Sequence, residues 1–371
     1  LYKTFFPRKM STFTHYLNIK TKIMNTKIVS FGEILLRLSK SDYQRLTQGH
    51  RMLANYGGSE ANTAISLAYL GNNVEYVTRL PYSAMGEAAL MHLREYGLNV
   101  NHVVRGGERL GTYYFEEAVA MRNSHVIYDR KNSSMYSLKR GMVEWDKVLA
   151  DAAMFHCSGI TCAISHDSME STMDALKLAE EKGLTIVCDI NYRKNLWGYG
   201  MQPHDVLYNM MQYSDVAFGD QNEWEVASGI KHIPFEAHDA NYVINGDAYH
   251  AYFRKMHSLF PKCKKMIMAL RNQLASSHHT LTGVLYDAVT DSLYTTKIYD
   301  IQPIIDPMGV GDAFVAGYIH AYLKWTDNNQ YCLDFALSAS ALKNTIPGDQ
   351  NLVTEEEIIT NLTSSGGRIQ R

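Results

Sequence analysis

The stretch Asp306-Pro307-Met308-Gly309-Val310-Gly311-Asp312-Ala313-Phe314 places a carboxylate directly behind two glycines and in front of an apolar helix. Residues 315–321 are rich in small and apolar side chains and predict a packed helix. The glycines would deliver the amides of Gly309, Val310 and Gly311 to the first turn of that helix. Free N–H groups and the positive end of the helix dipole make such a turn an anion site.

Asp312 adds a proton acceptor to this predicted anion site. A hydroxyl group held there could lose its proton to Asp312 while the amides stabilise the charge of a transferring phosphoryl group. The stretch therefore predicts phosphoryl transfer to an alcohol. Taken alone, the same residues could also form a tight turn followed by a helix cap.

A second glycine pair opens a helix near the N-terminus, in Tyr56-Gly57-Gly58-Ser59-Glu60-Ala61-Asn62. Gly57 and Gly58 would let the backbone approach a polyol closely. Asn62, one turn into the helix, could both donate to and accept from sugar hydroxyls. An ordinary turn and a solvated helix position are the alternatives for these residues.

These segments resemble the signatures of the ribokinase-like, or phosphofructokinase-B, carbohydrate kinases. Pro307 stands in the usual Thr position and Val310 in the usual Ala position of the D-T-x-G-A-G-D-x-F signature. The resemblance implies an anion site at Gly309, Val310 and Gly311, a catalytic base at Asp312, and sugar contacts at Gly57, Gly58 and Asn62.

Asn222-Glu223-Trp224-Glu225 resembles the N-x-x-E motif of the same family, which is associated with magnesium and phosphate. The resemblance implies that Asn222 and Glu225 lie at the nucleotide, with Glu225 acting on Mg²⁺ through water because this ion keeps much of its hydration shell. Both residues could instead merely cap the next helix.

Asp189-Ile190-Asn191-Tyr192-Arg193-Lys194-Asn195-Leu196-Trp197 begins where an apolar strand ends, and a parallel sheet presents ligand-binding residues there. Arg193 could clamp a carboxylate with two hydrogen bonds, which a neutral sugar would not require. The run resembles the D-x-N-x-R-x-x-L-W segment of 2-keto-3-deoxygluconate kinases. Tyr128-Asp129-Arg130 resembles the contact that their lid makes with the acid sugar.

The same resemblance implies substrate contacts at Tyr113, Tyr128, Arg130 and Arg193, and nucleotide contacts at Arg271, Asn344 and Gly348. The residues themselves are also compatible with purely structural roles. The two substrate arginines could be ion-pair partners. The tyrosines could only pack the lid, and Arg271 could simply end a strand.

Short β-rich runs alternate with helical patterns from Lys27 onward and predict a layered α/β fold. The six expected buried strands are residues 28–31, 74–78, 154–157, 185–190, 215–218 and 266–270. The resemblance implies a ribokinase-like α/β/α sheet. Segments of about 33–55 and 103–131 interrupt the alternation with a period of two, and we expect them to pair as a small β lid that excludes water.

Composition excludes several other classes of protein. The formal net charge of −2 over 371 residues argues against a nucleic-acid partner, and no apolar run is long enough to cross a bilayer. Five cysteines without a C-x-x-C pair suit a reduced, cytoplasmic protein. Residues 1–23 carry basic side chains but no Asp or Glu and superficially resemble a transit peptide. We expect them instead to be a non-native or disordered extension, with Met24 as the natural start and 24–371 as the kinase domain.

The expected activity is transfer of a phosphoryl group from ATP, with Mg²⁺, to the terminal hydroxyl of an acid sugar, 2-keto-3-deoxygluconate being the expected substrate. A fructokinase or ribokinase-type kinase of a neutral sugar and a non-catalytic sugar-binding regulator are the alternatives. Asp312 and the intact Gly309-x-Gly311 favour the enzyme. The expected partners are small molecules, with no membrane, and the chain is expected to form a homo-oligomer.

Overall fold

The computed structural model describes residues 26 to 363, which form three sheets with helices packed on them. The strands are β1 (Lys27–Phe31), β2 (Leu35–Ser39), β3 (Leu53–Gly57), β4 (Asn73–Val77), β5 (Arg79–Leu80), β6 (Val104–Arg105), β7 (Thr112–Glu116), β8 (His125–Asp129), β9 (Ala152–Ser158), β10 (Thr185–Asp189), β11 (Val216–Gly219), β12 (Lys265–Ala275), β13 (His278–Asp287), β14 (Ser292–Thr295) and β15 (Tyr299–Ile301).

The helices between residues 26 and 363 follow in chain order. They are α1 (Ser59–Tyr69), α2 (Ala84–Glu95), α3 (Trp145–Val148), α4 (Gly159–Ile164), α5 (His166–Glu181), α6 (Pro203–Met211), α7 (Gln221–Ser228), α8 (Gly246–Leu259), α9 (Val310–Lys324), α10 (Asn329–Lys343) and α11 (Glu355–Thr363). None of them combines the length and the apolar character that a membrane span requires.

The main sheet has nine strands in the order β14-β13-β12-β11-β10-β9-β1-β4, with β15 beside β13. Its strands from β4 to β12 are parallel to their neighbours, and β13 begins an antiparallel edge. Consecutive residues of β1 face opposite layers, since Ile28 belongs to one apolar core and Val29 to the other. The layered α/β/α fold and the six predicted buried strands are confirmed.

Each face of the main sheet is covered by its own set of helices. On one face, buried side chains of α5, α6, α7 and α8 form a core that includes Leu176, Met210 and Trp224. On the other face, α1, α2, α9 and α10 contribute to a second core. The carboxyl ends of the parallel strands are therefore left open between the layers, where α/β sheets bind ligands.

A smaller sheet, in the order β3-β2-β7-β8, lies beside this open end. Two of its strands come from each of the two segments in which the sequence pattern alternates. Leu35, Tyr113 and Phe115 form its buried apolar core, and Met308 of the glycine-rich stretch packs against them. The predicted extension, residues 1–23, lies outside the described residues.

Arg37 of β2 is buried and joins the small sheet to two loops of the main domain. Its Nη2 lies 2.8 Å from Oδ2 of Asp306, and its Nη1 lies 2.9 Å from Oδ2 of Asp349. The Tyr113 hydroxyl also donates to Asp349. The Arg37 guanidinium stacks over the Phe115 ring, 4.5 Å from its centroid. Two strands of the small sheet are thus tied to the loops around residues 306 and 349.

Arg37→Met should lower the free energy of unfolding by roughly 3–5 kcal/mol, because it leaves the two carboxylates of Asp306 and Asp349 buried without their cation. Urea denaturation would measure the change. Arg140→Met is the matched control. Arg140 is half-exposed and pairs with Asp174 at 2.6 Å, so its loss should change stability little. Equal stability of Arg37→Met and wild type would contradict the structural role of Arg37.

Candidate active site

A cavity of about 640 Å³ opens where the carboxyl ends of β10, β11 and β12 meet the N-termini of α1 and α9 and the small sheet. Most residues predicted for the site line it. These are Gly58, Asn62, Tyr113, Tyr128, Arg130, Arg193, Asn222, Arg271, Gly309, Val310, Gly311 and Asp312. Residues predicted for the sugar and residues predicted for the phosphate therefore share one cavity.

Gly309 forms the turn that starts α9. Its φ of 76° is left-handed, and a Cβ atom there would lie 1.9 Å from the carbonyl oxygen of Asp349, so only glycine fits. The first helical hydrogen bond runs from the Ala313 amide to the Gly309 carbonyl. Within residues 26–363, the amides of residues 309–312 have no protein acceptor. They are free to bind an anion, as the sequence predicts.

Asp312 is buried in the first turn of α9, and both of its carboxylate oxygens accept hydrogen bonds from α1. The Ser59 hydroxyl donates to Oδ1 at 2.8 Å, and Nδ2 of Asn62 donates to Oδ2 at 2.7 Å. Burial raises the pKa of Asp312 to about 6, while the hydrogen bonds from Asn62 and Ser59 oppose this rise. A carboxylate whose pKa lies this close to neutral pH is suited to accept a proton.

Two amide oxygens in the cavity wall lack a hydrogen-bond donor. Oδ1 of Asn62 and Oδ1 of Asn191 are buried and have no partner in the part of the chain that the structure describes. Both side chains line the cavity beside Asp312. A buried acceptor without a donor is costly, and hydroxyl groups of a ligand would satisfy it. The two oxygens are therefore candidate acceptors for hydrogen-bond donors of a ligand.

The three cavity arginines differ in how they are paired. Nε of Arg130 lies 2.8 Å from Oε2 of Glu33, and both side chains are largely buried. Nη1 of Arg193 lies 3.2 Å from Oε1 of Glu223, with the arginine half-exposed to the cavity. Arg130 and Arg193 are therefore ion-pair partners that also line the cavity.

The Arg271 side chain extends from β12 and forms no hydrogen bond or ion pair with any described residue. An unpaired guanidinium in the same cavity as free helix amides provides positive charge for a phosphate.

Four predicted site residues do not line the cavity. The carboxylate of Glu225 faces the outside of α7 and binds the ring of His232 at 2.5 Å, because residues two apart on a helix point in different directions. Glu223 lines the cavity instead. Asn344 turns back on its own helix, its Nδ2 donating to the Ser340 carbonyl at 3.0 Å. The Gly348 amide donates to Oδ2 of Asp306 at 2.9 Å.

Gly57 is the fourth, and both Gly57 and Gly58 have close neighbours within the protein. A Cβ atom on Gly57 would lie 2.2 Å from Oδ1 of Asp349, and one on Gly58 would lie 2.0 Å from the Glu33 carbonyl oxygen. Both glycines are therefore required by contacts within the protein, although Gly58 also lines the cavity.

Sequence reasoning missed several residues that the fold brings to the cavity, namely Glu33, Ser59, Asp189, Asn191 and Glu223. All five stand within or beside segments that carry the family resemblance, so a local signal existed. No sequence pattern indicated their contacts, because these contacts join residues that are far apart in the chain.

Burial raises the pKa of Glu223 to about 7. Burial also raises the pKa of Asp189, and the nearby carboxylates of Glu223 and Asp312 raise it further. Carboxylates are thus crowded at this end of the sheet.

Known proteins share this fold. The crystal structure of a 2-dehydro-3-deoxygluconokinase from Thermotoga maritima superposes with a TM-score of 0.83 at 33% identity, covering 91% of this chain and 100% of that one. A 2-dehydro-3-deoxygalactonokinase of Haloferax volcanii is 27% identical over 94% of this chain and 100% of its own length. A 2-dehydro-3-deoxygluconokinase of Bacillus subtilis is 24% identical over 92% and 97%.

The family profile of the pfkB carbohydrate kinases matches residues 25–251, which is more than half of the chain. That range contains the Gly57-Gly58 pair, the small sheet and the loop of Arg193. The Thermotoga structure covers 91% of the chain, which is more than the range that the profile matches. The chain therefore belongs to the pfkB family of carbohydrate kinases and has the ribokinase-like fold.

Proposed function

We propose that this carbohydrate kinase transfers the γ-phosphoryl group of ATP to the terminal hydroxyl of a six-carbon 2-keto-3-deoxy sugar acid, with 2-keto-3-deoxygluconate as the substrate. One observation carries the proposal. A single cavity holds a buried carboxylate beside free helix amides, and two arginines line the same cavity. The names of the Thermotoga, Haloferax and Bacillus relatives support a keto-deoxy sugar acid.

Asp312 acts as the general base in this proposal. The carboxylate accepts the proton of the terminal hydroxyl as that oxygen attacks the γ-phosphorus atom, and the bond from that atom to the bridging oxygen breaks so that ADP leaves. In a loose transition state the proton leaves late, so the orientation of Asp312 matters more than its basicity. Asn62 and Asn191 would orient the sugar, because their unpaired amide oxygens accept hydrogen bonds from its hydroxyls.

The amides of Gly309, Val310 and Gly311 would stabilise the charge that develops on the transferring group, and Arg271 would bind the remaining phosphates. Mg²⁺ bound with ATP would neutralise further phosphate charge. Asn222 and Glu223 line the cavity and carry the oxygen ligands that this ion prefers. Among residues 26–363, no group of three or more His, Cys, Asp or Glu side chains could hold a metal ion alone. A Mg²⁺ ion that is held largely by phosphate oxygens and water would need few ligands from the protein.

Arg130 and Arg193 would bind the substrate carboxylate. Each already has one carboxylate partner, Glu33 or Glu223, so the substrate would share the remaining N–H groups of two guanidinium ions. Tyr113 and Tyr128 would close the cavity from the small sheet, which would exclude water from the reaction.

A coupled kinase assay with ATP and Mg²⁺ tests the substrate class directly. The panel comprises 2-keto-3-deoxygluconate, its C4 epimer 2-keto-3-deoxygalactonate, fructose and ribose. We expect the highest kcat/KM with a sugar acid, because only these substrates carry the carboxylate that two arginines can bind. A higher kcat/KM with fructose or ribose would establish a neutral-sugar kinase instead, and no turnover of any sugar would favour a binding protein.

Asp312→Asn should lower kcat by about 10²–10⁴-fold, because an amide cannot accept the hydroxyl proton. The fold should survive, since the new side chain has the same shape. Asp327→Asn is the control, because Asp327 is exposed beyond the end of α9. Wild-type turnover by a folded Asp312→Asn variant would exclude Asp312 as the base.

Arg193→Met should reduce kcat/KM for the acid sugar roughly ten- to a hundred-fold, because a hydrogen bond to a charged group contributes on the order of 1.5–3 kcal/mol. The turnover of fructose should change much less, since it has no carboxylate to lose. Measuring both sugars in both proteins separates recognition from any effect of leaving Glu223 without its partner. Equal losses for the two sugars would remove Arg193 from carboxylate recognition.

A further inference from the structure

Ser59, the first residue of α1, lies between the proposed base and the end of β10. Its hydroxyl donates to Oδ1 of Asp312 at 2.8 Å, and it accepts a hydrogen bond from Nδ2 of Asn191 at 2.6 Å. Nδ2 of Asn191 also donates to Oδ2 of Asp189 at 3.1 Å. All four side chains line the cavity, so this chain of hydrogen bonds runs along its wall.

The direction of these hydrogen bonds follows from the chemistry of the groups. An amide NH₂ group can only donate, so the Ser59 oxygen must accept from Asn191. The Ser59 proton therefore cannot point toward Asn191 and is directed at the Asp312 carboxylate. Asn191 itself is held by a left-handed backbone with φ 38°, a conformation that asparagine tolerates better than most residues.

We propose that Ser59 is a positioning residue, which keeps the Asp312 carboxylate ionised and aims its free lone pairs at the substrate hydroxyl. Asn191 locks the Ser59 hydroxyl in the donating direction. The inference rests on the proposed role of Asp312 as the base. It adds that the base depends on a hydroxyl group supplied by the neighbouring helix α1 and oriented by the loop after β10.

Other charged groups also influence the ionisation of Asp312, so a test must leave those groups unchanged. Arg193 favours its ionised form, whereas Glu60 of α1 opposes it. Asp189 at the end of β10 is a second nearby carboxylate, and Lys343 of α10 is a nearby cation. Replacing Ser59 changes none of these charges, so its effect on the titration of Asp312 can be isolated.

The test compares pH profiles of kcat/KM for wild type, Ser59→Ala, Asn191→Ala and Ser66→Ala. Ser66 is the matched control, since it is a buried serine on the same helix whose hydroxyl has no partner among the described residues. The ionisation of ATP and of the sugar acid is identical in all four assays. Differences between the profiles therefore report only on the protein, and thermal melting confirms that each variant is folded.

In Ser59→Ala, the lower apparent pKa of the profile should rise by about one unit, because one hydrogen bond to the ionised carboxylate is lost. Activity requires ionised Asp312, so it falls as the pH drops through this pKa. At pH 5 the loss relative to wild type should be about tenfold greater than at pH 8. Asn191→Ala should shift the profile in the same direction by less, and Ser66→Ala should not shift it.

A Ser59→Ala profile with the wild-type pKa, including one that is lowered equally at every pH, would overturn the positioning role. If Asp312→Asn is inactive in the same experiment, only this inference falls and the proposed base stands. If a folded Asp312→Asn variant turns over normally, the base assignment fails and the inference fails with it.

Discussion

The buried ion pairs of Arg37 hold together the parts of this kinase that must meet at the active site. One guanidinium binds Asp306, at the start of the glycine-rich stretch, and Asp349, whose backbone packs against Gly309. Asp306 in turn accepts hydrogen bonds from the Met308 and Gly348 amides. Two carboxylates without solvent require their cation, so the small sheet and the anion-binding turn are held in one arrangement.

Charge is distributed unevenly along the cavity. Arg130 and Arg193 each face a carboxylate of the wall, whereas Arg271 has no such partner among the described residues. A sugar acid carries one negative charge and can be recognised by shared guanidinium groups. Under the proposed function, the several negative charges of ATP would be met by the free amides of α9 and the unpaired Arg271 side chain.

The proposed base illustrates how elements that are distant in the sequence cooperate. Asp312 belongs to α9, yet both of its oxygens are held by α1, and the residue that orients Ser59 follows β10. Burial favours the neutral carboxylic acid, and the two donors oppose it. The proton affinity of Asp312 is thus set jointly by three elements that are far apart in the chain, so small shifts between these elements would change its chemistry as well as its position.

Local sequence determined the elements and the chemistry of the anion turn, because glycines, a following apolar helix and alternating strand patterns act over a few residues. It therefore predicted the α/β fold, the small sheet strands and the place of Asp312 in the first turn of an apolar helix. Only the tertiary structure decided that Glu223 and not Glu225 faces the cavity, that Gly57 and Gly58 are required by Asp349 and Glu33, and which carboxylates pair with the arginines. These depend on long-range contacts between buried groups, and a one-dimensional pattern does not encode the direction in which a side chain meets a distant partner.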